Sequence, residues 1–340
     1  MSLRRLPVYL LLDCSESMIG DAIEAVQRGV DLLIRQLRSD PHALETVYVS
    51  IITYHATAQQ VLPLTELSEV QPPALSVRPG TSLGAALNLL RECINREVRK
   101  TTTSQKGDYR PIVFLLTDGQ PTDDWESVQQ MTYRLTHPKI ANLYAIGCGD
   151  DVDFETLHRA SDIVFKLQDM TPQTLGKLFL WLTGSVQGAS QGLGAGDQAG
   201  IDLTKKPEDV REVQPGSEPT YHGPARQVFL KLYCSKVRRP YLVRYRLDEE
   251  VEGYMPVAAH VLESTIDEGK GFEVPPINSS LLLGSFPCPY CSNPHAGMCS
   301  CRALFCLPDE VNPSVTCPRC LSRITLGQTG EDFAINQSAG

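Results

Sequence analysis

The sequence predicts an α/β fold: a doubly wound, mostly parallel sheet, followed by a small β-rich module and a cysteine-rich tail. Three observations lead to this reading. Short apolar runs alternate with helical patterns through residues 1–185, strand-like runs without a long helix follow a Gly-rich stretch, and seven of the 11 cysteines crowd between Cys288 and Cys320.

The first half justifies its elements in order. Pro7–Leu12, Val47–Tyr54, Ile112–Thr117, Leu143–Gly147 and Ile163–Leu167 are short and rich in β-branched or aromatic residues. Between them, Gly20–Leu37, Ser82–Arg99, Trp125–Thr136, Phe154–Ala160 and Gln173–Thr183 space their apolar residues as helices do. Near-continuous apolar strands need helices on both faces, which is the signature of a parallel sheet. A binding site in such a sheet is expected at the carboxyl ends of the strands. This domain is expected to span 1–185. Residues 186–224 open with GSVQGASQGLGAGDQAG-type composition and read as a flexible linker. VFLKLYC, PYLVRYRL and PVAAHVLES, divided by turn formers, place the β-rich module at 225–283. The cysteine-rich module follows at 284–328 and a tail at 329–340.

Bulk composition narrows the function classes. At 340 residues with 42% hydrophobic content, the chain can build one large core and one or two small ones. Its 31 basic and 40 acidic residues give a net charge of −9, which argues against a general nucleic-acid binder. No run approaches the roughly 20 apolar residues that span a bilayer. The two arginines and six apolar residues at the start read as a first strand rather than a secretion signal, so the default expectation is a cytoplasmic protein with no membrane partner.

The first strand runs into Asp13-Cys14-Ser15-Glu16-Ser17, where a turn can aim one carboxylate and two hydroxyls at one point. A later strand ends at Asp118, followed by Gly119, and Thr81 stands where a Pro-Gly turn meets a helix. These are hard oxygen donors with few carboxylates among them, a set that suits Mg²⁺ or Mn²⁺ and leaves room for a ligand from another molecule. Asp123 and Asp124 are expected to favour the start of the helix at Trp125 rather than to bind metal.

D-x-S-x-S after the first strand, G-T-S-L at a helix start and T-D-G after a later strand resemble the metal-ion-dependent adhesion site (MIDAS) of von Willebrand factor A (VWA) domains. The resemblance covers residues 6–184. It implies that Ser15, Ser17 and Thr81 bind the metal directly, with Asp13 and Asp118 acting directly or through water, and that a partner protein supplies a carboxylate.

In the tail, Cys288-x-x-Cys291 and Cys317-x-x-Cys320 are knuckles of the kind that present thiolates to one tetrahedral ion, so the four together are expected to hold a structural Zn²⁺. His295, Cys299, Cys301 and Cys306 either complete a second zinc site in a cross-braced arrangement or are buried thiols beside a surface-loop histidine, with one zinc the favoured count. Arg302, Arg319 and Arg323 leave a nucleic-acid-binding zinc ribbon as an alternative.

Together with LYCSKVRRPYLVRYR and INSSLLLGSFPCPYC, these features resemble the bacterial TerY-type proteins, whose C-terminal domain is zinc-binding and zinc-ribbon-like. That resemblance implies a non-enzymatic adaptor or scaffold in a tellurium-resistance or stress-response system, working with a PP2C-type phosphatase and a Ser/Thr protein kinase. A Mg²⁺-dependent phosphohydrolase is the enzyme alternative. Its second acid, two residues after the first, is here Ser15, which cannot act as a general acid near neutral pH.

Overall fold

The structure, a computed structural model, describes residues 4–103, 106–123, 140–149, 152–161, 163–191, 206–218, 226–262, 276–308, 314–325 and 332–337. The chain divides into two compact units, residues 1–221 and 222–340.

The first unit is built on β1 (Leu6–Asp13), α1 (Asp21–Arg38), α2 (Pro41–Thr46), β2 (Val47–Tyr54), β3 (Ala58–Glu66), α3 (Leu83–Glu97), β4 (Ile112–Thr117), β5 (Asn142–Cys148), α4 (Phe154–Ala160), β6 (Ile163–Leu167), α5 (Pro172–Gln191) and β7 (Val210–Val213). They form a seven-stranded sheet of order β3-β2-β1-β4-β5-β6-β7. The five central strands are parallel and the two edges antiparallel. Strand alternation sorts β1 onto two cores. Leu6, Val8, Leu10 and Leu12 pack with α1 and α5, while Tyr9 and Leu11 pack with α3 and α4. The order also places β1 between β2 and β4, so successive connections leave it in opposite directions. A crevice opens at the carboxyl ends of strands at such a reversal. Asp13 and Asp118 sit there.

The doubly wound sheet matches the expected fold. Three features were not expected. β3 is an edge strand carrying Pro63, too polar to read as a strand from composition. α5 continues to Gln191, past the expected boundary at 185, because Val186, Ala189 and Ser190 remain buried against the first core. β7 lies inside the stretch expected to be a flexible linker, yet pairs antiparallel with β6 and buries Val210 and Val213. The helix expected at Trp125–Thr136 lies outside the described residues.

The second unit contains β8 (Gln227–Tyr233), β9 (Pro240–Asp248), β10 (Gly253–Val261), β11 (Ile277–Asn278), β12 (His295–Met298), β13 (Leu304–Leu307), β14 (Ser314–Thr316), β15 (Arg323–Thr325) and β16 (Ala334–Ile335). β8 to β10 form an antiparallel meander, and β13 pairs parallel with β8 to extend it into a sheet of order β10-β9-β8-β13-β12. β16 pairs with β11. The β-rich module and the cysteine tail are therefore interleaved in one unit rather than two in series. Among the described residues, no helix is long and apolar enough to cross a membrane.

Candidate metal centres

The first centre is assembled by strand ends. Asp13 closes β1, buried, and its carboxylate accepts from the Ser15 backbone N–H at 3.0 Å and from the Thr117 hydroxyl at 2.6 Å. That leaves the loop turning so that the Ser15 and Ser17 hydroxyls lie 2.8 Å apart. Ser17 in turn donates to Asp118 Oδ1 at 2.6 Å, across the gap between β1 and β4. Thr81 reaches the same place. A carbon added at Gly119 would stand 3.9 Å from Thr81 Oγ1 and 4.0 Å from Ser17 Oγ. The absence of a side chain at Gly119 keeps that space open. All five residues named from sequence thus border one crevice.

Burial raises the Asp13 carboxyl above the ordinary carboxylate range, against the pull of hydrogen bonds from Thr117 and Ser15. Burial also lifts the Tyr54 hydroxyl and the Cys148 thiol, with the charges of Asp13 and Asp118 adding to it. Two acids withdrawn from water and faced by hydroxyl oxygens are a place where a hard cation restores balance, so the donor set fits a metal ion. Sequence reading missed Thr117, which orients Asp13, and Glu16, which reaches the Thr81 turn.

Glu16 is pushed up to about 8 by burial, opposed by a hydrogen bond from Gly80. The folded chain then keeps a proton on this group through a window, from its ordinary value of 4.5 to about 8, in which the unfolded chain has lost it. Stability from this group therefore falls as pH rises through that window. Thermal melts without added divalent metal are expected to shift down between pH 5 and 8, and Glu16→Gln to shrink the shift. An equal shift in both proteins would remove Glu16 as a source.

The helix that Asp123 is expected to favour, at Trp125, lies outside the described residues. The Asp123 Oδ2 accepts from the Ser82 hydroxyl and from the Gly84 and Ala85 N–H groups, capping α3 from a distant loop. The first N–H groups of α3 have no partner within their own helix, and this carboxylate supplies one. Asp124 lies outside the described residues.

The cysteines form two groups of four, each with its sulfurs within 4.8 Å of one another: Cys234, Cys288, Cys291 and Cys306, and Cys299, Cys301, Cys317 and Cys320. This corrects the expected single set of Cys288, Cys291, Cys317 and Cys320. The two C-x-x-C pairs belong to different groups because the β12–β13 hairpin stands between them in the chain, and Cys299-Cys301 folds against the second pair. Cys306 joins the first group rather than Cys299 and Cys301, and His295 belongs to neither. Cys234, which the sequence reading left out, completes the first.

A repeated backbone turn explains the grouping. Cys234, Cys288 and Cys317 each accept at the carbonyl from the N–H four residues on, and each donates to the carbonyl five residues on. Cys299 makes the same closure one residue shorter, as C-x-C requires. Arg238, Ser292, Arg302 and Leu321 hold the left-handed positions in these four turns. In the first turn Val237 stands where a second thiol would be, and Cys306 of β13 supplies it instead. Cys306 lies 3.5 Å from Cys291, and Cys299–Cys320 and Cys301–Cys317 are 3.6 and 3.7 Å apart. Four thiolates at about 2.3 Å from a tetrahedral ion are about 3.8 Å apart. The spacing fits. Ser235 donates its N–H to Cys306 Sγ at 3.2 Å, and its bonds hold that thiol low against burial. Cys320, exposed, is drawn down to about 6 by its hydrogen bonds with Ser322.

Residues 8–178 match the family model of the von Willebrand factor type A domain. The chain belongs to that family. Residues 225–340 of this VWA protein match the TerY-C metal binding domain, and the two matches together are those of a TerY-type architecture. Among solved structures, the VWA chain is similar to a von Willebrand factor type A protein from Catenulispora acidiphila, at 17% identity and a TM-score of 0.43, over 54% of this chain and 43% of that one. It is also similar to proximal thread matrix protein 1 from the mussel byssus with a zinc-occupied MIDAS motif, at 16% identity and a TM-score of 0.39, over 54% and 48%. A third is the pilus adhesin SpaC from Lactobacillus rhamnosus GG in an open conformation, at 13% identity and a TM-score of 0.44, over 55% and 30%. The chain spans less than half the length of each. No curated protein matches it.

Proposed function

We propose that this VWA protein is a non-enzymatic adaptor that captures a partner protein's Asp or Glu carboxylate through a Mg²⁺ ion held by Asp13, Ser15, Ser17, Thr81 and Asp118. The observation that carries the reading is the Ser15–Ser17–Asp118 chain, with contacts of 2.8 and 2.6 Å, at the point where the sheet order reverses. Hydroxyl donors leave a bound Mg²⁺ electron-poor, and Mg²⁺ keeps exchangeable waters that an outside carboxylate can replace. Ser15 stands where a phosphohydrolase would keep its general acid, and its hydroxyl is engaged with Ser17.

In the second unit, eight thiolates would hold two Zn²⁺ ions, stabilising the fold as structural zinc does. The TerY-type architecture makes a PP2C-type phosphatase and a Ser/Thr protein kinase, in a cytoplasmic stress or tellurium-resistance system, the first partners to test.

A pull-down with the full chain and with Asp13→Ala or Ser15→Ala, in Mg²⁺ and in Mg²⁺-free buffer, checks this. A partner retained by wild type in Mg²⁺ alone, with both variants folded and empty-handed, is the expected result. A partner retained by all samples would move the interface off the first centre.

A further inference from the structure

The loop that presents Ser15 and Ser17 also buries an acid for which the metal reading has no task. Glu16 is 1% exposed. One of its oxygens, Oε2, accepts the Gly80 N–H at 2.9 Å, and the other, Oε1, is buried without a hydrogen-bond partner among the described residues. Burying a carboxyl so incompletely satisfied is costly, and an apolar side chain would fill the space without that cost.

What Glu16 touches is the turn that places Thr81. Gly80 has φ +93°, and a Cβ there would lie 2.9 Å from the Ala56 backbone, so the turn is pressed against its neighbour and admits only glycine. Ala56 N–H donates to Pro79 O at 2.9 Å, and Arg78 N–H to Cys14 O at 2.8 Å. Thr81 itself is gripped by Thr122, whose hydroxyl accepts the Thr81 N–H at 3.0 Å and whose N–H donates to Thr81 O at 2.8 Å. The turn is thus suspended among three segments. Glu16 is the side chain that ties it to the loop of Ser15 and Ser17.

We infer that Glu16 is a positioning residue for the first metal centre, acting as a hydrogen-bond acceptor for Gly80 N–H that fixes the Thr81 hydroxyl at its distance from the Ser15–Ser17 pair. The inference rests on the proposed metal site. It separates three roles for the residue. A filler of space is replaceable by methionine, a source of charge is not replaceable by glutamine, and an acceptor is replaceable by glutamine but not by methionine.

The test measures Mn²⁺ binding to the full chain by calorimetry and by the electron paramagnetic resonance of bound Mn²⁺, with melts to check folding. The proteins are wild type, Glu16→Gln, Glu16→Met, Thr81→Ala, Glu16→Met with Thr81→Ala, and Asp118→Ala. Glu16→Gln is expected to bind within about twofold of wild type. Glu16→Met is expected to weaken binding about tenfold, the scale at which partners of metal ligands act, and to alter the resonance. In the Thr81→Ala background, Glu16→Met is expected to add nothing. Wild-type affinity in Glu16→Met, a Glu16→Gln loss as large as that of Glu16→Met, or additive losses in the double variant would each overturn the positioning role while Asp118→Ala still abolishes binding. A wild-type chain that binds no more Mn²⁺ than Asp118→Ala would overturn the metal site itself, and the inference with it.

Discussion

Replacing Cys234 with serine is expected to lower bound zinc from two ions per chain to one and to lower the melting transition of the second unit, although this residue lies 54 positions before the next cysteine. Its sulfur belongs with Cys288, Cys291 and Cys306. All four border a core that includes Val228, Leu230, Tyr241 and Val243, and Tyr241 packs edge-on to Tyr290 inside the C-x-x-C turn. A metal held there and the core would therefore stabilise the same sheet. Structural zinc sites in small domains contribute about 10–16 kcal/mol of apparent binding free energy, against a total stability of about 5–15 kcal/mol for a typical domain. Losing one ligand forfeits much of that. Elemental analysis and a two-transition melt check it, with Cys93→Ser, a buried thiol of the first unit, as the control that should keep both ions. Two ions retained by Cys234→Ser would exclude the first group as a zinc site.

The first unit has its own point of high sensitivity. Gly29→Ala places a methyl carbon 2.1 Å from Phe179 Cδ2 and 2.5 Å from Cγ, inside the ring. The conflict has no easy outlet. Phe179 is 1% exposed in α5, beside Leu178 and Leu182, and the same helix sets Trp181 edge-on against Phe165 at 5.2 Å. The ring can escape only by pushing α5 away from α1. Overpacking of this kind costs about 1–3 kcal/mol and occasionally more, at about 2–4 °C of melting temperature per kcal/mol in a unit of this size. Calorimetry should find the lowered transition in the first unit alone, and Gly29→Ala combined with Phe179→Leu should recover part of it. An unchanged melt for Gly29→Ala would mean that α1 and α5 have room to separate freely.

What the sequence makes legible is what its residues signal locally. The strand-end acids, the alternating hydroxyls and the Pro-Gly turn before Thr81 each advertise themselves within a few residues, and the strands that bear them are apolar on both faces. The contacts that support them are not local. Thr117 to Asp13 spans 104 positions and Glu16 to Gly80 spans 64, and nothing in either neighbourhood announces the other. β3 and β7 escaped notice because edge strands are half polar and these two are interrupted or short. The cysteine pairing went astray on an assumption of proximity. Two four-thiolate groups need eight sulfurs, while the tail has seven and a histidine. That deficit was the available signal for Cys234, masked because Val237 replaces the second cysteine of its turn.

The placement of Cys234 also has a temporal side. During synthesis it emerges 72 residues before Cys306, which at about 5–20 residues per second is about 4–14 s. Cys288 and Cys291 follow within that interval, but until Cys306 arrives the meander of β8 to β10 must exist, or wait, with an incomplete set of thiols. Capture of a metal there would then be a late step in the maturation of the nascent protein, waiting on the arrival of the hairpin of β12 and β13.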